Sequence, residues 1–327
     1  MPAKRAAAKK PRQAATRSPA GKSPVAAAPG SAANVAYEAN APLRAPCIAA
    51  FGASAGGFDA IRTFFDTMPV DSGIAFVVIQ HLHPTQKSLA AELFGKRTKM
   101  PVVEARNGMR VEPNHVYTVP PNTYPSVHQG VLKLVAPTQE HGPRLPIDHF
   151  FAWLGEDQQQ RAIGIVLSGS GSDGALGVKS IAANGGIVLA QEPATAQFDG
   201  MPQSAIASGM VNYVLPVANM PEVLVGYARH PYVASAARPE AVAESEEAAL
   251  ESVLGLIRAR HGYSFSGYKQ STLLRRIQRR MGLRSIEHWN DYIAVLRKNP
   301  GEIGALFKDL LIGVTEFFRD AKAWDLL

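Results

Sequence analysis

With 327 residues, 46% of them hydrophobic, the chain is long enough for two domains that each bury a core. Its formal net charge of +7 points toward nucleic acid, but residues 1–22 alone carry seven basic groups and no acid, so the rest sums to zero and a folded nucleic-acid surface is excluded. A lone cysteine, Cys47, excludes an internal disulfide and a Cys-rich zinc site; no apolar run approaches the roughly 20 residues of a membrane span, and no secretory signal opens the chain. The expectation is a soluble cytoplasmic protein without a metal site.

Residues 1–44 are rich in Ala, Pro, Lys and Ser and read as a disordered basic tail, a solubilising extension or else a contact for acidic surfaces. From residue 45 to 230 short β-rich runs alternate with helical segments, the pattern of an open, mostly parallel α/β sandwich. Strands are expected at 48–51, 75–79, 102–105, 116–119, 163–167, 187–190 and 212–215. Helices are expected at 58–66, 87–96, 147–158, 175–183, 202–208 and 220–228. Between Val116 and Val135 two β-rich runs flank Pro-Pro-Asn and His-Gln-Gly, which reads as an inserted hairpin.

The first strand leads into Phe51-Gly-Ala-Ser54-Ala-Gly-Gly. Gly52 to Gly56 spell G-x-S-x-G, a strand-to-helix turn that exposes one serine beneath the free N–H groups of the following helix. Such a turn can present a nucleophile and hold an oxyanion; it can equally cradle a phosphate or do no chemistry. Open parallel sheets gather function at the carboxyl ends of their strands. There the second strand delivers His81, and the fifth delivers Ser168-Gly-Ser-Gly-Ser-Asp173. A serine needs a base and a carboxylate to orient that base, which makes His81 and Asp173 the candidates. His83, His115, His128, His141 and His149 remain available as bases, and Asp173, like Asp148, could simply cap a helix. The order Ser, His, Asp also departs from the Ser, Asp, His of the α/β-hydrolases.

These segments, with Val78-Ile-Gln-His81-Leu-His-Pro, Tyr117-Thr-Val-Pro-Pro and Phe198-Asp-Gly-Met-Pro-Gln, resemble the CheB-type protein-glutamate methylesterases of bacterial chemotaxis. The resemblance implies hydrolysis of glutamate methyl esters on methyl-accepting chemoreceptor helices, glutamine deamidation as a second activity, and no cofactor. It places the family's serine, histidine and aspartate on Ser54, His81 and Asp173, with Ala55 and Ser170 near the oxyanion. Many family members carry a hydroxyl residue and a methionine at those last two positions, a change that backbone donors would tolerate. Because residues 1–44 cannot fold the receiver domain that usually precedes this unit, control in cis is not expected, which leaves a response regulator acting in trans.

Residues 231–245 read as an Ala, Pro, Glu-rich linker, and 246–327 as a small all-α domain. A helix at 246–260 aligns Leu250, Val253, Leu254 and Ile257; one at 270–281 aligns Leu274, Ile277 and Met281. The second carries Arg275, Arg276, Arg279 and Arg280 on one side, a solvated basic face or a docking surface for an acidic helix. Tyr268-Lys-Gln-Ser-Thr-Leu-Leu-Arg-Arg-Ile and Leu310-Leu-Ile-Gly-Val-Thr315-Glu-Phe-Phe-Arg319 resemble the N-terminal helical domain of CheR-type chemotaxis methyltransferases. That resemblance implies a role in receptor recognition and places Thr315 and Arg319 beside an S-adenosylmethionine site whose main domain would follow; without that domain, no methyltransferase activity is expected. Two other readings stay open: a serine hydrolase of small esters, and a non-catalytic receptor adaptor that uses the basic helix.

Overall fold

A computed structural model of the chain describes residues 46–81, 89–137, 144–234 and 244–311. The expected tail, His83, His141, Thr315 and Arg319 lie outside the described residues. In chain order the first part runs β1 (Cys47–Ala53), α1 (Gly57–Thr67), β2 (Ile74–Gln80), α2 (Ala90–Gly95), β3 (Val102–Glu104) and β4 (Val116–Thr118). The hairpin β5 (Tyr124–His128) and β6 (Val131–Val135) follows, then α3 (Pro146–Gln158), β7 (Ala162–Val166), α4 (Gly177–Ala183) and β8 (Ile187–Gln191). The α/β part closes with α5 (Gly200–Ala207), β9 (Tyr213–Leu215), α6 (Met220–Arg229) and the turn α7 (Pro231–Ala234).

Seven strands form one sheet in the order β3-β4-β2-β1-β7-β8-β9, every pairing parallel. The central strands are buried along their whole length, which is why they read as continuous apolar runs rather than alternating ones. Alternate residues feed two cores. Phe51 stacks on Phe76 and both meet Phe64 and Phe65 of α1 edge-on on one face, while Ile48, Ala50 and Val77 meet Phe150, Phe151 and Leu154 of α3 on the other.

Two expectations are corrected. The run at 116–119 joins the main sheet as β4, and the hairpin is made by β5 and β6 alone, turning through Gln129 and Gly130, both at positive φ. Pro125 reads as a strand breaker in isolation, but β5 pairs on one side only among the described residues, where a missing N–H is tolerated. The expected linker also begins later than residue 231, because α7 buries Tyr232 and Val233 in the first core.

The remaining helices are α8 (Glu244–His261), α9 (Gln270–Leu283), α10 (Trp289–Lys298) and α11 (Pro300–Leu311), packed around Leu250, Val253, Ile257, Leu274, Ile277, Leu296 and Leu306. They belong to the same compact unit as the sheet, residues 44–327. Three of the four arginines on the basic face of α9 are committed, while Arg275 is half-buried and has no hydrogen bond or ion pair among the described residues. Arg276 donates from Nη1 and Nη2 to the carbonyls of Ala182 and Ala183 at 3.0 and 2.7 Å, at the C-terminus of α4, where a cation suits the helix dipole. Arg279, 1% exposed, donates to Gly186 O, Asn212 Oδ1 and Asp309 Oδ2. Arg280 and Arg284 both grip the buried carboxylate of Glu302. Gly186 and Asn212 precede β8 and β9, so the helical domain docks on the amino edge of the sheet.

Candidate active site

Strand register assembles the site. Ala53 at the end of β1 pairs with Gln80 at the end of β2, and the His81 N–H extends the ladder by donating to Ala53 O at 3.1 Å. Ser54 and His81 are therefore each the first residue past the ends of two adjacent, paired strands. On the other side of β1, Gly52 pairs with Val166, and Ser54 N–H donates to Ser168 O at 3.0 Å. Strand order reverses around β1, so the three loops meet at the topological switch point, where open α/β sheets hold their ligands.

The elbow is held from below. Ser168, 1% exposed, donates through Oγ to Ala55 O at 2.8 Å and accepts from Phe198 N at 3.0 Å, while its own N–H reaches Gln191 Oε1 at 2.9 Å. Gly56 has φ +73°, and a Cβ there would sit 2.6 Å from Ser168 Oγ, which leaves glycine the one fit. At Gly169 a Cβ would lie 2.8 Å from Ser54 Cβ and 2.2 Å from Met201 Sδ, so the loop approaches the serine at backbone contact. The N–H groups of Ala55 and Ser170 have no acceptor among the described residues.

Asp173, 3% exposed, accepts from His81 Nε2 at 2.8 Å. The same carboxylate accepts the N–H groups of Ile147 and Asp148 at 3.1 and 2.8 Å, and so caps α3. Asp148 in turn accepts from Leu176 and Gly177 at 2.9 and 2.7 Å and caps α4. Each aspartate thus caps the helix on which the other is placed or which follows it, a reciprocal exchange. Asp173 is both the histidine's partner and a cap, though for α3 rather than the helix near Ala175. Burial raises the Asp148 carboxyl above its ordinary value, the Gly177 N–H opposes that rise, and the Asp173 charge adds to it.

Of the three expected side chains, the structure joins two by a hydrogen bond. His81 and Asp173 are hydrogen-bonded; the Ser54 hydroxyl has no hydrogen bond to a described residue. With Nε2 directed to Asp173, Nδ1 is the ring nitrogen left to receive a proton, the reverse of the arrangement in the chymotrypsin-type triad. Of the other candidate bases among the described residues, His115 lies by Glu112, and His128 and His149 pack on Trp153. Sequence reasoning missed the brace of Ser168 and Gln191 and the proximity of Met201. Only the position of Ser168, immediately past an apolar strand, hinted at it.

An elbow serine, a histidine–carboxylate pair and unpartnered N–H groups at a parallel-sheet switch point define a serine-hydrolase site. Comparison with known proteins narrows the class. The CheB methylesterase family matches residues 49–224, and the all-alpha domain of CheR methyltransferases matches residues 248–311. The chain belongs to the CheB methylesterase family. An uncharacterized 104.1 kDa protein of Rhodobacter capsulatus is 36% identical over 250 residues, 70% of this chain and 26% of that protein. A Burkholderia lata protein named protein-glutamate methylesterase/protein-glutamine glutaminase 2 is 34% identical over 187 residues, 57% of this chain and 55% of its own. The chain therefore spans about a quarter and about half of these two relatives. The crystal structure of the Thermotoga maritima CheB methylesterase catalytic domain superposes with a TM-score of 0.52 at 28% identity, over 55% of this chain and 97% of that one.

Proposed function

We propose that the chain is a protein-glutamate methylesterase that hydrolyses glutamate methyl esters on chemoreceptor helices, with glutamine deamidation as a second activity. The observation that carries this reading is the His81–Asp173 hydrogen bond, placed by strand register beside the elbow serine. Ser54 Oγ attacks the ester carbonyl as His81 Nδ1 takes its proton. The backbone N–H groups of Ala55 and Ser170 hold the oxyanion, and the protonated His81 returns its proton to the departing methanol. Water, deprotonated by His81, then attacks the acyl-serine and frees the glutamate carboxylate. For amide substrates the same cycle releases ammonia.

This chemistry needs no metal or organic cofactor. S-adenosylmethionine would concern Thr315 and Arg319 alone, so no methyl transfer is assigned. A response regulator acting in trans is the proposed source of control, and the cytoplasm the proposed compartment; among the described residues no helix is long and apolar enough to cross a membrane. The adaptor reading loses most of its support, because three of the four arginines of α9 it would use, Arg276, Arg279 and Arg280, are held by α4, the start of β8 and Glu302. Methanol release from a methylated chemoreceptor fragment, measured with this chain and with Ser54→Ala, tests the proposal. Release that the substitution abolishes supports it; no release from the folded chain overturns the esterase under those conditions and turns the reading to the adaptor or to an absent activator.

A further inference from the structure

A cleft of about 190 Å³ opens beside His81, and the hydrolytic steps leave it unused. Pro120, Pro121, Pro137 and Pro146 wall it, and proline offers rigid surface with no N–H of its own. Two polar groups in this wall lack full partners. The side-chain oxygen of Gln80 is buried with no donor among the described residues. Arg144 is exposed and donates one hydrogen bond among the described residues, from Nη1 to Asn122 Oδ1 at 2.5 Å. No carboxylate is present among the described residues that line the cleft. Asn122 is held at φ +55°, and its contact steers one arm of the guanidinium while leaving Nε and Nη2 for a second ligand.

We infer that this cleft is a substrate subsite, in which Gln80 Oε1 accepts a backbone N–H of the substrate polypeptide and Arg144 pairs with a carboxylate close in sequence to the esterified glutamate. The inference rests on the methylesterase reading, since that reading makes the ligand a polypeptide. A carboxylate is the one anion that an unmodified polypeptide supplies, and a guanidinium fork matches its two oxygens. Gln80 adjoins His81 in the chain, so a segment lying along the cleft would run directly past the reacting centre.

The test uses the full chain carrying Ser54→Ala and measures the Kd of fluorescent glutamine peptides. Each peptide places one Asp, or the matching Asn, at one position within four residues of the glutamine. The expected result is one position at which Asp binds about tenfold tighter than Asn, the worth of one charge-assisted pair. That ratio should fall toward one in Arg144→Ala, invert in Arg144→Glu and recover in part in Arg144→Lys. Equal binding of Asp and Asn peptides throughout, a ratio that survives Arg144→Ala, or no detectable binding at millimolar peptide overturns the inference. Equal weakening of both peptides by Arg144→Ala also overturns it and makes Arg144 a brace for Asn122. Because this readout needs no turnover, it stands apart from methanol release, whose failure would strike the esterase reading alone.

Discussion

At the carboxyl edge of the sheet the Ser54 hydroxyl and the N–H groups of Ala55 and Ser170 have no partners among the described residues, and the His81 side chain is 30% exposed. At the amino edge Arg279 is 1% exposed and commits its guanidinium to Gly186, Asn212 and Asp309, and Arg276 closes the end of α4. One sheet thus carries unsatisfied groups past the carboxyl ends of β1, β2 and β7 and saturated ones before the amino ends of β8 and β9. Satisfied polar groups lower the energy of one arrangement and anchor; unsatisfied ones are free to bind something that is not yet there. Charge density in the sequence is therefore a poor guide to function here, since the Arg-rich helix is an anchor and the nearly chargeless Ser-Gly run lines the site.

This contrast predicts separable effects. Ser54→Ala should lower methanol release by roughly 10⁴- to 10⁶-fold, while its unfolding free energy stays within about 0.5 kcal/mol of the parent. Asp173→Ala should do both kinds of damage, because one carboxylate holds His81 and caps α3. A rate loss of about 10⁴-fold should accompany a stability loss of about 1 kcal/mol in urea unfolding. An unchanged stability would show that α3 is capped well enough without it. Arg279→Ala should strip the buried Asp309 of its hydrogen-bonded partner, leave it only Arg280 Nη1 at 3.8 Å among the described residues, and free the Gly186 and Asn212 acceptors. The expected cost is about 3 kcal/mol of stability, with turnover per folded molecule kept. A folded Arg279→Ala protein without activity would mean that the two edges are coupled.

Much of this was legible in the residues. Ser54 and His81 lie just past apolar runs expected as strands, Asp173 lies at the end of the Ser-Gly turn after a third, and strand ends are where such sheets collect chemistry. What stayed hidden depends on which surface a helix meets. The spacing of Arg276 and Arg279 places them on one side of α9, but nothing local says that the C-terminus of α4 fills that side. The Ser168–Gln191 brace was invisible for the same reason, joining residues 23 apart through two strand ends. Asp148 and Asp173 each read as a cap, and each is one, but the helices are exchanged between them.

That exchange supplies the smallest and most discriminating effect. Asp148 sits beside Asp173 and is partly buried, and burial raises its carboxyl above the ordinary value despite two helix N–H groups. An acid raised in the folded state binds more protons there than when unfolded, so its contribution to stability falls as pH rises from the ordinary aspartate value of about 3.9 up through the native one. Asp148→Asn keeps an oxygen to accept from Leu176 and Gly177 and removes the charge. Urea unfolding of both proteins between about pH 3 and pH 7 should then show the difference in stability shifting toward the variant as pH rises, and levelling once the native carboxyl has ionised. A gap that shifts the other way would mean that the α4 amides outweigh burial at this carboxylate.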